Sequence, residues 1–378
     1  MKKINWGLVG GGKGSQIGPA HRLGANIDGL YFLAAGALDI DQERGKSYAK
    51  SLGISENRAY ANWQEMLAGE KDRDDCIQLV TVATPNSTHY EITKAFLEAD
   101  INVLCEKPMT MTVEEAQDIV AITERSGTIC AVNFGYSGYS LVRHMRAMIA
   151  RGDLGDIRLV KSEFAHGFHA DAADVDNPRV RWRYDPKAAG VSAVFADCGI
   201  HALHMASYVT GQEVSKLSAD FVSCLDGREL EDDGMLNLRM SGGAVGRLWS
   251  SAVAIGRMHG LNIQVFGEKG GLRWHQEQPN QLYWTPLNGR TEIIERGSEG
   301  LSLEANAASR VTIGHAEGMP LAFANIYTDI ATLIKAKNDT SIDTSYISIP
   351  TAVDGLNTIS AIYAAVESSN RNGAWVDL

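Results

Sequence analysis

The sequence predicts an α/β protein in which a parallel sheet with crossover helices is followed by an α+β domain built on a mostly antiparallel sheet. Up to about residue 130, short apolar runs alternate with helical stretches, as in a parallel sheet. The first of these runs leads directly into the glycine-rich turn Gly7–His21. After residue 131, long alternating runs are separated by Gly-rich turns, which is typical of antiparallel strands. We therefore expect two domains, residues 1–130 and residues 131–378.

The N-terminal domain alternates strictly between the two kinds of element. We expect strands at Ile4–Val9, Tyr31–Leu38, Leu79–Ala83, Asn102–Glu106 and Thr128–Val132. Between them we expect helices at Ala20–Ile27, Asp41–Leu52, Trp63–Ala68, His89–Ala99 and Val113–Ser126. Thr112 followed by Glu115 predicts a capping box at the start of the last helix.

The C-terminal domain is expected to open with a helix at Leu141–Arg151. Its predicted strands are Leu159–Phe164, Ser215–Cys224, Gly234–Met240, Ala244–Ala254 and Asn262–Phe266. Two helices, Leu321–Ala336 and Ala352–Ser368, are expected to close the chain.

Composition excludes several classes of partner. The 378 residues include 35 basic and 46 acidic side chains, a net charge of −11, which argues against nucleic acid or an anionic membrane as the main partner. No leader peptide and no apolar run approaching the roughly 20 residues of a membrane span are apparent, so we expect a cytoplasmic protein with a small-molecule partner. The five cysteines are far apart in the sequence, and we expect reduced, buried thiols.

The glycine-rich turn predicts a dinucleotide site. Glycines allow a tight turn and let the backbone approach a pyrophosphate at a helix N-terminus. Gly10 and Gly12 supply the first two glycines of the motif, whereas Ser15 stands where the third belongs and Gly18 is the next candidate. The motif is therefore irregular, with a short insertion, and a glycine-rich surface loop is the alternative.

An acidic residue, Asp39, follows the second predicted strand. A carboxylate there accepts hydrogen bonds from both adenosine ribose hydroxyls and repels a 2′-phosphate, which favours NAD over NADP. The alternative is a solvated acid at a strand end. The nearby Lys13, Ser15 and Arg44 leave NADP open.

Two segments follow the third and fourth predicted strands. They begin at Thr84-Pro85-Asn86, which leads to His89, and at Glu106-Lys107. The carboxyl ends of parallel strands are where open α/β sheets bind ligands. An ammonium at Lys107 would hydrogen-bond a substrate hydroxyl and stabilise the developing alkoxide, although a solvated lysine is the alternative.

Asp197 and His201 are four residues apart in what we expect to be the opening of a helix, and so they share one helical face. An aspartate beside an imidazole fixes its tautomer and raises its basicity, which suits proton transfer. A structural hydrogen-bonded pair is the alternative. His204 falls on nearly the same face, where we expect packing or a supporting role.

These motifs together resemble the glucose-fructose oxidoreductase / inositol dehydrogenase family (Gfo/Idh/MocA). The resemblance rests on the glycine turn, Ala83-Thr-Pro-Asn, Cys105-Glu-Lys-Pro and Asp197-Cys-Gly-Ile-His, and it extends to the segments 267–274 and 354–356. It implies a Rossmann domain followed by an α+β domain whose large, open sheet forms subunit contacts, giving a homodimer or homotetramer. It also implies that Lys107, Asp197 and His201 hold the substrate hydroxyl and exchange its proton.

The resemblance implies a set of cofactor-binding residues, with NAD expected and NADP not excluded: Gly10, Gly12, Ser15, Gly18, Asp39, Thr84, Pro85, Asn86, His89 and Glu106. Within the family, the segments 182–186, 189–190 and 314–318 resemble the branch acting on inositols, glucosides and anhydrosugars.

Donors and aromatic faces that suit vicinal hydroxyls suggest candidate substrate-binding residues: Tyr136, His166, Trp182, Arg183 and His315. His166 and His169, with Asp171 and Asp174 nearby, raise the alternative of a metal site. We expect no metal, because neither the histidine spacing nor a cysteine partner suits a closed zinc site.

The sequence thus predicts an NAD(P)-dependent dehydrogenase that interconverts a secondary hydroxyl and a ketone on a cyclic polyol or sugar. Two alternatives remain open. One is NAD-dependent glycoside cleavage through a 3-keto intermediate. The other is a non-catalytic, nucleotide-sensing regulator on the same fold.

Overall fold

The computed structural model describes residues 3–378, except for the side chains of Pro178 and Arg179, and the chain divides into two compact units. The first unit contains the chain up to Gly138 together with Met319–Leu356; the second contains Tyr139–Gly318 and Asn357–Leu378. This division differs from the expected boundary at residue 130, because a segment from near the C-terminus returns to the first unit.

The elements are numbered along the chain. The strands are β1 Ile4–Gly10, β2 Tyr31–Ala37, β3 Leu79–Ala83, β4 Asn102–Cys105, β5 Cys130–Val132, β6 Ile157–Ala165, β7 Val214–Val222, β8 Asp233–Met240, β9 Val245–Ser251, β10 Asn262–Gly267, β11 Gly270–His275, β12 Gln281–Pro286, β13 Glu292–Glu295 and β14 Val376–Asp377. The helices are α1 Gly18–Ile27, α2 Gln42–Ser51, α3 Trp63–Glu70, α4 His89–Glu98, α5 Val113–Ser126, α6 Ser140–Ala150, α7 Pro178–Arg181, α8 Pro186–Ala189, α9 Ile200–Thr210, α10 Leu303–Ala307, α11 Met319–Ala336 and α12 Ala352–Asn370.

A parallel sheet of order β2-β1-β3-β4-β5 forms the centre of the first unit. The strand order reverses between β1 and β3, and open α/β sheets bind ligands beyond the carboxyl ends of the strands at this point. All five strands predicted for this domain are present. The capping box that begins α5 is also confirmed: Thr112 accepts from the Glu115 amide, and the Glu115 side chain returns to the Thr112 amide.

Helix α11 completes the core of the first unit. Its apolar face, which includes Ile326, Tyr327 and Ile330, belongs to the same buried cluster as Trp6 of β1 and Tyr31 of β2. Tyr31 also donates a hydrogen bond to the Tyr327 carbonyl at 2.7 Å. An amphipathic helix must bury its apolar face, and this cluster is where α11 does so.

The second unit contains, within the described residues, a sheet of order β13-β12-β11-β10-β6-β9-β8-β7-β14. Neighbouring strands are antiparallel except for β6 and β9, which run parallel. Helices α6 and α9 pack against each other, and α9 packs against β6 and β9. The predicted strands of this domain are present, with ends that differ from the prediction by at most three residues, but β11–β14 were not predicted.

Within residues 3–378 no helix is both long enough and apolar enough to cross a membrane. The five cysteines are free thiols, as expected, but only Cys105, Cys130 and Cys198 are buried, whereas Cys76 is partly exposed and Cys224 is exposed.

Candidate active site

The turn after β1 brings backbone so close to backbone that side chains are excluded. A Cβ added to Gly10, whose φ is +77°, would lie 2.4 Å from the Ala83 carbonyl oxygen, and one added to Gly12 would lie 2.3 Å from that of Leu38. A side chain at either position would therefore collide with backbone, as the tight turn after β1 requires. Pyrophosphate binding by Gly10 and Gly12 stays a prediction.

Gly18 takes the third glycine position. It is the first residue of α1, and a Cβ there would lie 2.1 Å from the Gly11 carbonyl oxygen. This close contact between helix and turn is the role of the third glycine in dinucleotide-binding folds. The Ser15 hydroxyl instead accepts a hydrogen bond from the Gly18 amide at 3.1 Å, while Lys13 is exposed in the insertion.

Arg22 holds the same turn and was missed by the sequence analysis. Its Nη1 donates to the Gly11 carbonyl at 2.8 Å, and its Nη2 donates to the Tyr48 hydroxyl at 2.8 Å. The available signal was its position four residues after Gly18, which places it on the same face of α1.

Asp39 lies just after β2, where its carboxylate would meet an adenosine ribose. Both of its oxygens accept hydrogen bonds from Arg44, each at 2.6 Å. The Arg44 hydrogen bond holds the pKa of the Asp39 carboxyl below its ordinary value, with a further contribution from the Asp41 amide. Asp39 therefore presents acceptors only, as ribose hydroxyls require. The glycine backbone surface and this carboxylate together fit NAD.

The segment after β3 lies beside the glycine turn, since Gly10 pairs with Ala83. Thr84 and Asn86 are partly exposed there, Pro85 is exposed, and the Thr88 hydroxyl donates to that of Thr84 at 2.8 Å. These three residues keep their expected place at the carboxyl edge of the sheet.

His89 requires a correction. It is fully buried, and its ring nitrogens lie 2.8 Å from the Pro108 carbonyl and 2.9 Å from the Thr84 carbonyl. The ring therefore lies buried between the segments that follow β3 and β4, with both nitrogens next to backbone carbonyls. Sequence alone does not reveal this, because the partners are backbone carbonyls of other segments.

Glu106 and Lys107 follow β4 directly, and Lys107 is partly exposed. The Lys107 amide donates to the Glu106 Oε2 at 3.2 Å. The other carboxylate oxygen of Glu106 accepts from the buried side chains of His21 and Asn133. Tyr136 also belongs to this unit and lies partly exposed in the short turn Gly135–Gly138. Cofactor binding by Glu106 and substrate binding by Tyr136 stay predictions.

In the second unit, Asp197 lies at the opening of a helix, as expected, but this opening is π-helical rather than α-helical. It belongs to the π-helical turn Phe195–Gly199, which precedes α9, and its side chain is half exposed. A π turn often marks a functional site because it changes the direction of side chains. Asp197 Oδ2 lies 3.9 Å from Arg183 Nε. His201, in the first turn of α9, is buried with its ring 5.8 Å from that of Phe164.

A small cavity in this unit brings several of the expected residues together. Its lining includes His166, His169, Arg183, Tyr184, Asp197 and Cys198. Carboxylate, guanidinium and imidazole groups on one wall can donate and accept hydrogen bonds to adjacent hydroxyls.

The protonation of His166 follows from its partners. Its Nδ1 accepts from the Phe168 amide at 3.3 Å, so the proton of the neutral ring is on Nε2, which lies 3.5 Å from the Cys198 Sγ. Burial lowers the pKa of His166 to about 4, with the neighbouring His169 adding to the effect. His166 is therefore a neutral donor at physiological pH.

Of the remaining substrate candidates, Trp182 is exposed and lies against the Arg183 guanidinium at 4.5 Å from the ring centre. His315 is exposed, with its Nδ1 3.2 Å from the Thr312 hydroxyl. His204, buried in α9, stacks on Tyr208 at 5.6 Å, in agreement with the expected packing role. In the part of the chain that the structure describes, no group of three or more His, Cys, Asp or Glu side chains is arranged to hold a metal ion.

Glu231 supports the π-helical turn and was missed by the sequence analysis. Its Oε1 accepts from the Ser192 hydroxyl at 2.6 Å and from the Ala193 and Phe195 amides at 3.0 Å each. Burial raises the pKa of this carboxyl, although these hydrogen bonds oppose the change. Glu231 lies in an acidic run that resembles a solvated loop, so only the fold identifies it as a cap.

Arg228 was also missed and holds the wall of the cavity. Its Nη1 donates to Asp232 at 2.7 Å, its Nη2 donates to the His169 carbonyl at 2.5 Å, and its guanidinium lies 4.1 Å from the centre of the Tyr184 ring. The Tyr184 hydroxyl in turn lies 2.9 Å from His169 Nδ1. One buried cation therefore orders two residues of the cavity lining.

Two family models match the chain. Residues 4–134 match the oxidoreductase family with an NAD-binding Rossmann fold, and residues 142–273 match the GFO/IDH/MocA C-terminal domain. The uncharacterized oxidoreductase YfiI of Bacillus subtilis (strain 168) is 39% identical over 100% of this chain and 97% of its own length. The chain belongs to the Gfo/Idh/MocA family of oxidoreductases.

Solved structures agree with this membership. An inositol dehydrogenase homolog from Azotobacter vinelandii in complex with NAD+ is 38% identical, with a TM-score of 0.94 over 100% of this chain and 98% of that one. The structure of an inositol dehydrogenase homolog from the same organism with NADH and myo-inositol is 37% identical, with a TM-score of 0.92 over 100% of this chain and 98% of that one. The family resemblance, the Rossmann domain and the large, mostly antiparallel sheet are thus confirmed, and the protein is an NAD-binding oxidoreductase.

Proposed function

We propose that this enzyme interconverts a secondary hydroxyl and a ketone on a cyclic polyol or sugar, with an inositol, a glucoside or an anhydrosugar as the substrate class. The observation that carries the proposal is the cavity wall of the second unit, where Asp197, Arg183 and the neutral His166 offer donors and acceptors to adjacent hydroxyls. The myo-inositol bound by the Azotobacter vinelandii homolog supports a polyol of this kind.

The proposed chemistry gives each residue a defined role. Bound NAD would supply the hydride acceptor for the carbinol carbon. His201 removes the hydroxyl proton as general base, and Asp197 orients His201 and shares the substrate hydroxyl. The Lys107 ammonium donates a hydrogen bond to the oxygen on which negative charge develops. Gly10, Gly12 and Gly18 hold the pyrophosphate on their backbone, and Asp39 accepts from the ribose hydroxyls.

The test is NADH absorbance over a panel of inositols, aldoses, glucosides and anhydrosugars, with NAD and NADP compared. We expect a cyclic polyol or sugar to reduce NAD in preference to NADP, because Asp39 repels a 2′-phosphate. Release of an aglycone without net NADH formation would instead identify transient redox cleavage of a glycoside. If no member of the panel reduces either cofactor and no keto-sugar is reduced in the reverse direction, the proposal fails.

Two buried histidines of α9 provide a matched pair of variants. His201→Asn should lower kcat by about 100-fold or more, because the general base is lost, while NADH affinity is retained. His204→Asn, which changes an imidazole packed on Tyr208 of the same helix, should keep kcat near that of the wild type. Equal activity of the two variants would remove His201 from the mechanism.

The sheet of the second unit supports a proposal about assembly. Strand β8 alternates buried and exposed positions, and Met235 and Ile293 are about half exposed on their strands. We propose that such apolar side chains pair two copies of the chain into a homodimer, or a homotetramer of two dimers. Light scattering coupled to gel filtration tests this, and a monomer at micromolar concentration would contradict it.

A further inference from the structure

A chain of buried hydrogen bonds runs through the first unit to Glu106. Trp6 Nε1 donates to Thr81 Oγ1 at 2.9 Å, and Thr81 Oγ1 lies 2.8 Å from Tyr327 Oη. Tyr327 Oη lies 2.9 Å from His21 Nδ1, and His21 Nε2 lies 2.9 Å from Glu106 Oε1. These side chains come from β1, β3, α11, α1 and the end of β4, and no contact in the chain exceeds 2.9 Å. The mechanism described above uses none of the first four.

The chemistry of the two ends limits how protons are placed along this chain. The Trp6 indole can only donate, so Thr81 Oγ1 accepts from it. The ionised Glu106 carboxylate can only accept, so Nε2 of His21 donates to it. The hydroxyls of Thr81 and Tyr327 can each donate and accept, and they link the two ends.

Glu106 stands at the end of the chain as an acceptor. Its Oε1 accepts from His21 and also from the Asn133 amide group at 2.5 Å, and its Oε2 accepts from the Lys107 backbone amide at 3.2 Å. Burial alone would raise the pKa of this carboxyl. The donors on His21 and Asn133 and the nearby Lys107 ammonium outweigh burial and hold the pKa below its ordinary value.

We propose that His21 is a positioning residue for Lys107, acting through Glu106. The donor on His21 keeps Glu106 ionised and in one orientation. The Glu106 carboxylate then holds the Lys107 backbone amide and stabilises the positive charge on the Lys107 ammonium. This inference rests on the proposed role of Lys107 in holding the substrate oxygen. The titratable or polar groups that act on Glu106 from the elements packed around it include His21, Asn133, Lys107, Tyr327, His89 and Cys105.

The first test compares two substitutions of His21 in the full-length enzyme. His21→Leu removes the donor, and we expect kcat to fall by about 10–100-fold. The acid limb of the kcat profile should move to higher pH, because burial then raises the pKa of Glu106. His21→Gln should restore much of kcat and return the acid limb, since its amide donates to Glu106 and accepts from Tyr327.

A second pair of variants keeps the inference testable if His21→Leu does not fold. Tyr327→Phe removes the hydroxyl that fixes the Nδ1 side of His21, and should move the acid limb in the same direction by a smaller amount. Tyr31→Phe is the matched control: it removes a buried tyrosine hydroxyl of the same core that donates to the Tyr327 backbone carbonyl, and should leave the kcat profile unchanged.

Lys107→Ala separates the two hypotheses. If Lys107→Ala retains turnover, the proposed role of Lys107 fails. If Lys107→Ala is inactive while folded His21 and Tyr327 variants keep the wild-type acid limb and kcat, the positioning role is overturned and the proposed function stands. Equal losses of kcat in His21→Leu and His21→Gln, with no shift of the acid limb, would likewise reduce His21 to a packing residue.

Discussion

At the scale of single residues, Gly18 must be glycine because the backbone of Gly11 lies against it. A Cβ at this position would meet the carbonyl oxygen, carbonyl carbon and Cα of Gly11 at 2.1, 2.7 and 2.8 Å. All three atoms are backbone, so they cannot turn aside as a flexible side chain does. The contact sets how closely α1 approaches the end of β1, and so where the helix N-terminus meets a pyrophosphate.

We expect Gly18→Ala to weaken NADH binding by at least about tenfold and to lower the free energy of unfolding by about 1–3 kcal/mol, as overpacking does. NADH fluorescence titration and urea unfolding measure the two effects. Gly318→Ala is the control, because a Cβ there has no neighbour within 4 Å. Wild-type affinity and stability in Gly18→Ala would contradict the close approach.

His166 makes stability depend on pH in a defined window. Its pKa is about 4 in the folded protein against an ordinary value of 6.5, so folding disfavours its protonated form. The contribution of neutral His166 to the free energy of unfolding is therefore fully present above pH 6.5 and is lost as pH falls from 6.5 towards 4. His169, His259, Asp197 and Arg183 are the charged or titratable groups that act on it.

We expect His166→Gln to flatten the decrease in unfolding temperature between pH 6.5 and 4.5 relative to the wild type, because an amide does not titrate. Thermal unfolding across this range measures it. Imidazole nitrogen NMR should show the wild-type His166 ring neutral at pH 5.5, with its proton on Nε2. A ring that is protonated at pH 5.5 would contradict the assignment.

At the scale of elements, the π-helical turn before α9 depends on Glu231. One carboxylate oxygen accepts three hydrogen bonds at the start of the turn that carries Asp197. The donors are buried and have to be satisfied, because the first amides of a helix lack partners within the helix. Glu231 thus links an acidic loop to the position of Asp197.

Replacing Glu231 by Ala leaves these buried donors without an acceptor, and we expect the free energy of unfolding to fall by about 1–3 kcal/mol, together with kcat. Glu231→Gln keeps an acceptor oxygen and should stay close to the wild type. The pKa of Glu231 is raised by burial, so its carboxyl costs stability as pH rises above the ordinary value of 4.5. In Glu231→Gln the free energy of unfolding should therefore decrease less with rising pH than in the wild type.

Urea unfolding of both variants at pH 5 and pH 8 measures these effects. A Glu231→Gln variant as unstable as Glu231→Ala would show that the charge, rather than the acceptor, stabilises the turn.

At the scale of the whole molecule, the first unit is discontinuous in sequence. Helix α11 supplies Ile326, Tyr327 and Ile330 to the core that contains Trp6 and Tyr31. The Asn325 side chain donates to the Gly138 carbonyl at 2.7 Å, and the Val132 amide donates to the Pro350 carbonyl at 3.0 Å. Residues 319–356 therefore close the core of the NAD-binding unit.

We expect residues 3–138 alone to aggregate or to bind a hydrophobic dye, because the surface covered by α11 is exposed. Residues 3–138 joined to residues 319–356 by a flexible Gly/Ser linker should fold and bind NADH. Near-UV circular dichroism and NADH fluorescence compare the two chains. Cooperative folding of residues 3–138 alone, with NADH binding, would contradict the role of α11.

The sequence by itself determined the class of fold, the NAD-binding domain and the family. These depend on local patterns: the alternation of strand and helix up to Val132, the glycines after β1, and the acid after β2. Backbone geometry ties each pattern to a short segment, so Gly10, Gly12 and Asp39 could be predicted as cofactor-binding residues without a structure. The strands β11–β14 were missed, although β11 and β12 are as long as β10. Strand β11 begins with Gly270 and Gly271, which the sequence assigns to a Gly-rich turn.

Only the tertiary structure decided which glycine fills the third position, that His89 is buried between the segments that follow β3 and β4, and that Asp197 occupies a π turn. It alone revealed His21, Arg22, Arg228 and Glu231. Each of these side chains acts through partners far along the chain, as His21 does with Glu106 and Tyr327. A buried polar group is satisfied by whatever the fold brings next to it, and that neighbour leaves no pattern in the local sequence.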